Sequence, residues 1–261
     1  MTPGQELHLG RTAKETKMTV TTTSHTVTSR EIQKNPVERT VMPKLEEDTE
    51  WRVLTKEEQT LFLKYCKETY YGDIFEVALA TGMRNGEIRA LEWSDVDFEN
   101  RIIHVTGTMI YTDQKYKKGS PKTKSSRRDI PMLDNVYRIL KERRKQQLSN
   151  KMLLGKEWNV TDGLDDLVFT TGFGGVLSGN TLKYYLNHIQ ELILRDEHEF
   201  EHIHVHTLRH TFATRCIENG MPPQVLKTIM GHSSLAMTMD LYSHVLPDTK
   251  AEEMKKIANC F

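Results

Sequence analysis

The chain has 261 residues, 37% of them hydrophobic, and its 36 lysines and arginines balance 36 aspartates and glutamates. That supplies an ordinary globular core for one large or two small domains. No apolar run approaches bilayer-spanning length and the N-terminus lacks the order of a signal peptide, so no membrane association and a cytoplasmic location are expected. Cys66, Cys216 and Cys260 are too few and too scattered for a disulfide framework or a cysteine-based zinc site. Net charge gives no support to a nucleic-acid partner, but its distribution is uneven. Lys115, Lys117, Lys118, Lys122, Lys124, Arg127 and Arg128 follow one another without an acid, whereas RDEHEFE at 195–201 is mostly acidic. A solvated loop accounts for such a basic run as readily as a DNA-facing surface.

Residues 1–47 read as a disordered or linker-like segment. Their first part is rich in Thr, Ser and charge, and the prolines of KNPVERTVMPK at 34–44 disfavour a helix. The folded part is expected from residue 48 onward. Thr55 and Glu58 fit a capping box, followed at helical spacing by Leu61, Phe62, Tyr65, Cys66 and Thr69, with Gly72 as the stop. A second helix carries Ile74, Val77, Ala78 and Thr81 and ends at Gly82, and a third begins at Asn85. VDF, RIIHV, GTMIY and RRDIPM predict a small antiparallel sheet, which makes the basic run a hairpin loop. Val136, Ile139, Leu140 and Leu148 return to helical spacing, as do Leu182, Tyr185, Leu186, Ile189 and Ile193, and the remainder is helical. Gly172, Gly174 and Gly175 read as turn glycines, because no Lys-Ser or Lys-Thr follows them as a phosphate-cradling loop requires. The fold class is therefore mainly α with a small antiparallel β-sheet.

Chemistry is carried by three segments. In TGMRNGEIRALEW, Arg84 stands before a helix start, where a guanidinium beside unsatisfied N–H groups makes an anion site, though a plain surface position fits as well. In HTLRHTFATRCIENG, His206 and Arg209 share a helical face; they suit phosphate binding and proton transfer, or a satisfied interfacial pair. In IMGHSSLAMTMDLYSHV, His232 follows the helix-stopping Gly231 and Tyr242 lies on a short helix. His202, His204, His206 and His210 suggest a metal site as a rival, but the HExxH glutamate is absent and no nearby Cys or carboxylate completes a ligand set.

In this order, Arg84, the hairpin lysines, His206, Arg209, His232 and Tyr242 resemble the active-site signature of the tyrosine recombinases, from about residue 34 to the C-terminus. The MGHSS and DLYSHV forms look most like integrases of conjugative transposons and temperate phages. The resemblance implies a bacterial, site-specific DNA recombinase that needs neither metal, ATP nor another cofactor, integrating or excising a mobile element through a 3′-phosphotyrosyl intermediate. Arg84 and Arg209 then clamp the phosphate, with Glu87 steadying the site. Tyr242 is the nucleophile, His206 takes its proton, and His232 donates a hydrogen bond to phosphate. In SPKTKSSRRDIP, Lys122 aligns best with the family lysine as general acid, Lys124 being the alternative. Lys115, Lys117, Lys118, Lys124, Arg127 and Arg128 are expected to meet DNA.

The implied architecture is a catalytic domain over 48–261 with a C-terminal tail helix, whose Ala251, Met254, Ile257, Ala258 and Phe261 form one stripe for packing in cis or on a neighbouring subunit. The core-binding domain that such proteins carry ahead of KNPVERTVMPK is expected to be missing or truncated. The implied partners are double-stranded recombination sites, further copies in a tetramer on DNA, and an accessory excision factor. An inert or truncated DNA-binding remnant is the alternative function.

Overall fold

The computed structural model describes residues 52–120, 124–196 and 198–245. All lie in the unit Thr49–Phe261. The expectations for residues 1–47, for the tail stripe and for Lys122 fall outside the described residues.

The described part is mostly helical, with two small antiparallel sheets. Helix α1 (Lys56–Lys67) opens on the expected capping box, with the Thr55 side chain accepting from Glu58 and the Glu58 carboxylate from Thr55. It stops before Gly72, which is instead the first residue of α2 (Gly72–Thr81). A Cβ at Gly72 would lie 1.7 Å from the Cys66 carbonyl oxygen, so the glycine permits the tight turn between the helices. Gly82 caps α2 in the left-handed region at φ 62°, and α3 (Asn85–Arg89) starts immediately after.

The expected single sheet resolves into two. Strands β1 (Val96–Asp97), β2 (Ile102–Val105) and β5 (Arg128–Pro131) pair in the order β1-β2-β5, while β3 (Thr108–Thr112) and β4 (Lys115–Gly119) form a separate ribbon. Asp113 and Gln114 join that ribbon at φ 51° and 60°, the mirror-image turn whose twist matches paired strands. The basic run is consequently not one loop. Lys115, Lys117 and Lys118 lie on β4, and Arg128 pairs with Val105 across β2 and β5.

Helix α4 (Asp134–Leu154) buries Val136 and Leu140, but Leu148 is 55% exposed rather than part of the expected apolar face. The helix outruns the core, and its third buried residue is Arg143, forked onto the Asp73 carboxylate. Helix α5 (Gly179–Arg195) buries Leu182, Leu186, Ile189 and Ile193 as expected and packs mainly on α1. Then follow α6 (Val205–Glu218), α7 (Pro223–Met230) and α8 (Ala236–Val245).

Phe62, Phe75, Ile103, Leu140 and Leu208 belong to the main core, shared by α1, α2, α4, α5, α6 and the β1-β2-β5 sheet. A second cluster, built on Ala213, Ile217, Leu226, Met230 and Leu241, joins α6, α7 and α8. The α2–α6 contact ties these regions together. Among the described residues no helix is long and apolar enough to cross a membrane.

Candidate active site

Helix α7 ends at Gly231 in the left-handed region, φ 63°, leaving its last carbonyls without intrahelical partners. Three arginines from three other elements take them. Arg128 Nε donates to the Ile229 carbonyl, Arg209 Nη2 to that of Met230, and Arg84 Nη2 to that of Gly231. The negative end of the helix dipole thus faces a cluster of cations that would otherwise only repel one another. Glycine is required at position 231: a Cβ there would meet Arg128 Nη1 at 3.0 Å and the Ser125 carbonyl oxygen at 3.1 Å, besides the positive φ.

Glu87 completes the frame. Its carboxylate accepts from Arg84 through the backbone N–H (2.8 Å) and Nη1 (2.9 Å), and from both Nη atoms of Arg128 (3.1 and 2.8 Å). Burial acts to raise its pKa, but the hydrogen bonds and charge of Arg128, followed by those of Arg84, hold it down to about 2. Arg128 therefore cannot serve as the DNA contact expected of it. Its side chain is 2% exposed and occupied by Glu87, Ile229 and the Ser126 carbonyl. It is a buried strut that binds β5 to α3 and α7.

Arg209 is buried and forks between the carbonyls of Gly82 and Met230. Burial, then the neighbouring charge of Arg84, pushes its pKa down to about 9, which leaves it protonated at neutral pH. Arg84, His206, Arg209, His210 and His232 line one cleft of roughly 430 Å³ together with Met230, Met237, Asp240 and Leu241. Burial first, and then the charges of Arg209 and Arg84, lower the pKa of His206 below its ordinary 6.5, favouring the neutral ring that can accept a proton. His232 is buried, and its Nδ1 lies 2.9 Å from the Thr238 Oγ1. Sequence reasoning missed Thr238, the strut role of Arg128 and the carbonyls of α7. The expected residues Arg84, Glu87, His206, Arg209 and His232 do converge.

Tyr242 does not line this cleft. Its ring packs against the second apolar cluster and its hydroxyl donates to the Met221 carbonyl, which does not line the cleft either. Burial, then Cys216, raises its pKa above the ordinary phenol value. Of the other lysines and arginines expected to meet DNA, Lys115, Lys117 and Arg127 are exposed. Lys118 is not available in the same way, since its ammonium sits between Glu92 (2.6 Å) and Asp95 (2.7 Å). The Lys124 side chain falls outside the described residues. His202 stacks edge-on against His204, and His206 against His210. Among the described residues no three His, Cys, Asp or Glu side chains group as metal ligands would.

Comparison with known proteins gives a consistent picture. The family model described as the phage integrase family matches residues 52–248. The chain is 31% identical over 242 residues to the transposase of transposon Tn916 from Enterococcus faecalis, covering 87% of this chain and 56% of that protein. It is 30% identical over 249 residues to a XerC-like tyrosine recombinase of Caldanaerobacter subterraneus subsp. tengcongensis, covering 88% and 61%. Among solved structures, the Tn1549 transposon integrase in complex with transposon right end DNA superposes with a TM-score of 0.71 at 30% identity, over 87% of this chain and 73% of that one. The chain spans 56% and 61% of the lengths of these two curated relatives.

Proposed function

The chain belongs to the phage integrase family, and we propose that it cleaves and rejoins DNA strands at specific sites, as the recombinase of a mobile element of the conjugative-transposon type. The observation that carries this reading is the convergence of Arg84, Arg209, His206 and His232 on one cationic cleft. Two guanidiniums held by carbonyls and a carboxylate are fixed before any ligand arrives, so they oppose developing charge on a phosphodiester without reorganising.

In the proposed reaction the Tyr242 oxygen attacks the phosphorus and His206 accepts the phenolic proton. The bond to the 5′ oxygen breaks, and Lys122 supplies the proton that makes it a free hydroxyl. The 3′-phosphotyrosyl bond conserves the energy of the broken linkage, so a second 5′-hydroxyl reverses the step with another strand. Arg84 and Arg209 hold the nonbridging oxygens, Glu87 positions Arg84, and His232 donates a hydrogen bond to the phosphate. Because the Tyr242 hydroxyl is hydrogen-bonded to the Met221 carbonyl outside the cleft, it must leave that carbonyl for attack. That bond is also what favours the alternative, an inert DNA-binding remnant.

One experiment separates the two. With a nicked duplex from which the cleaved 5′ fragment diffuses away, the chain should form a protein–DNA adduct in EDTA that survives denaturing electrophoresis, and Tyr242→Phe should form none. An adduct that persists in Tyr242→Phe, or one that needs a divalent metal, refutes the mechanism; no adduct from the unaltered chain favours the remnant.

Binding can be examined separately. Replacing Lys115, Lys117 or Arg127 by alanine should each weaken DNA binding and lower the slope of log affinity against log salt by about 1. Lys118→Ala should leave that slope unchanged and instead reduce stability, because Glu92 and Asp95 lose the cation between them. Filter-binding titrations across salt, with thermal melts of each variant, check both halves.

A further inference from the structure

Thr238 lies on α8 with no solvent exposure, and its Oγ1 is 2.9 Å from Nδ1 of His232. The threonine is itself held in place, since its backbone N–H donates to the Leu235 carbonyl at 2.9 Å. His232 lines the cleft with Arg84, His206 and Arg209, and this helix borders the same cleft through Met237, Asp240 and Leu241. Burial, followed by the charges of Arg209, Arg84 and Arg128 and by His210, lowers its pKa to about 4, so at neutral pH the ring carries a single N–H. A neutral imidazole has two tautomers, and the partner of one nitrogen decides which nitrogen is protonated. Here Nδ1 is engaged and Nε2 is the atom left for a ligand. In a cleft where the two guanidiniums of Arg84 and Arg209 outnumber the one carboxylate of Asp240, a lone pair on Nε2 would repel the phosphate, whereas an N–H would bind it.

We propose that Thr238 is a positioning residue that donates its hydroxyl proton to His232 Nδ1, and so fixes the ring proton on Nε2 toward the cleft. In its functional consequence this rests on the reading of the cleft as the site of a DNA phosphate; the tautomer itself does not. Thr238 also stands one helical turn before Tyr242 on α8. The same hydrogen bond therefore anchors the near end of the nucleophile's helix to the phosphate clamp while the tyrosine end is held by Met221.

The test uses the full chain with isotope-labelled histidine. Long-range proton–nitrogen correlation spectra distinguish a protonated ring nitrogen from a bare one, and His232→Gln identifies the signals belonging to His232. The expected result is a bare Nδ1 and a protonated Nε2 in the unaltered chain and in Thr238→Ser, and loss of that single tautomer in Thr238→Val. Adduct formation on the nicked duplex should fall about tenfold in Thr238→Val, the effect of losing one neutral hydrogen bond, and return in Thr238→Ser. A ring protonated on Nδ1 in the unaltered chain overturns the proposal, as does a Thr238→Val ring with an unchanged tautomer. If Thr238→Val does not fold, the spectra of the unaltered chain and Thr238→Ser decide alone. If the unaltered chain forms no adduct, the recombinase reading fails, while the spectra still decide the role of Thr238.

Discussion

Replacing Arg209 by methionine is expected to slow adduct formation by about 10³-fold, the cost of removing one fixed donor to developing oxyanion charge. The same change removes two hydrogen bonds inside the protein. Arg209 spans the carbonyls of Gly82 and Met230, the ends of α2 and α7, from a position 3% exposed. Each carbonyl left buried without a donor costs about 1–3 kcal/mol, so the variant should also unfold at lower urea. Lysine keeps the charge but offers a single compact ammonium in place of a planar fork, and it cannot reach both carbonyls and a phosphate in the same geometry. Arg209→Lys is therefore expected to lose nearly as much activity as Arg209→Met, with a smaller loss of stability. Single-turnover adduct kinetics beside urea titrations measure both. A lysine variant within a few-fold of the unaltered chain would show that charge alone matters and that the fork does not.

How far the sequence discloses this site follows from what is local in it. The caps at Thr55, Gly82 and Gly231 depend on short-range backbone geometry, and each stands where the residue pattern puts it. His206 and Arg209 share a face because they are one turn apart on one helix, so their convergence is legible from spacing alone. Their meeting with Arg84 and His232 is tertiary. Only the resemblance of the ordered motifs, and not periodicity, brought those residues together. Arg128 shows where local reading fails: in a run of lysines and arginines it looks like its neighbours, yet Arg127 before the strand is exposed, and strand alternation turns Asp129 outward and Arg128 inward, onto a carboxylate on α3. The one available signal was that alternation, with Arg128 and Ile130 on the buried side of β5. The ion pairs of Lys118 are illegible for a related reason, because its partners Glu92 and Asp95 lie more than twenty residues earlier in the chain. Thr238 left no signal, since a buried threonine on an amphipathic helix is ordinary until its neighbour is known to be a histidine. Leu148 is the opposite error, an apolar residue at helical spacing on a stretch of α4 that reaches past the core.

Glu87→Gln is expected to cost roughly 3–5 kcal/mol of stability and most of the cleavage activity, as breaking a buried ion pair does. The amide cannot balance the Arg128 charge, and it replaces one of the two accepting oxygens by an NH2 that faces donors, while Arg128 is too deeply buried for water to take over. The pH dependence identifies the cause. Glu87 in the folded chain ionises at about 2, against an ordinary value of 4.5. A depressed carboxylate stabilises the fold fully above its unfolded pKa and loses that contribution as pH falls toward its folded pKa, so the window runs from about 4.5 down to about 2. The displacement corresponds to about 3 kcal/mol, in line with the cost of breaking the pair. The stability difference between the unaltered chain and Glu87→Gln should therefore be flat from neutral pH to about 4.5 and shrink below it. Other carboxylates titrate in the same range, but they are common to both proteins and cancel in the difference. Urea denaturation at a series of pH values gives the curve directly. A difference that stays constant down to pH 3 would mean that Glu87 is not held by its arginines as the structure has it. A Glu87→Gln chain that is stable yet inactive would assign the carboxylate to holding Arg84 rather than to supporting the fold.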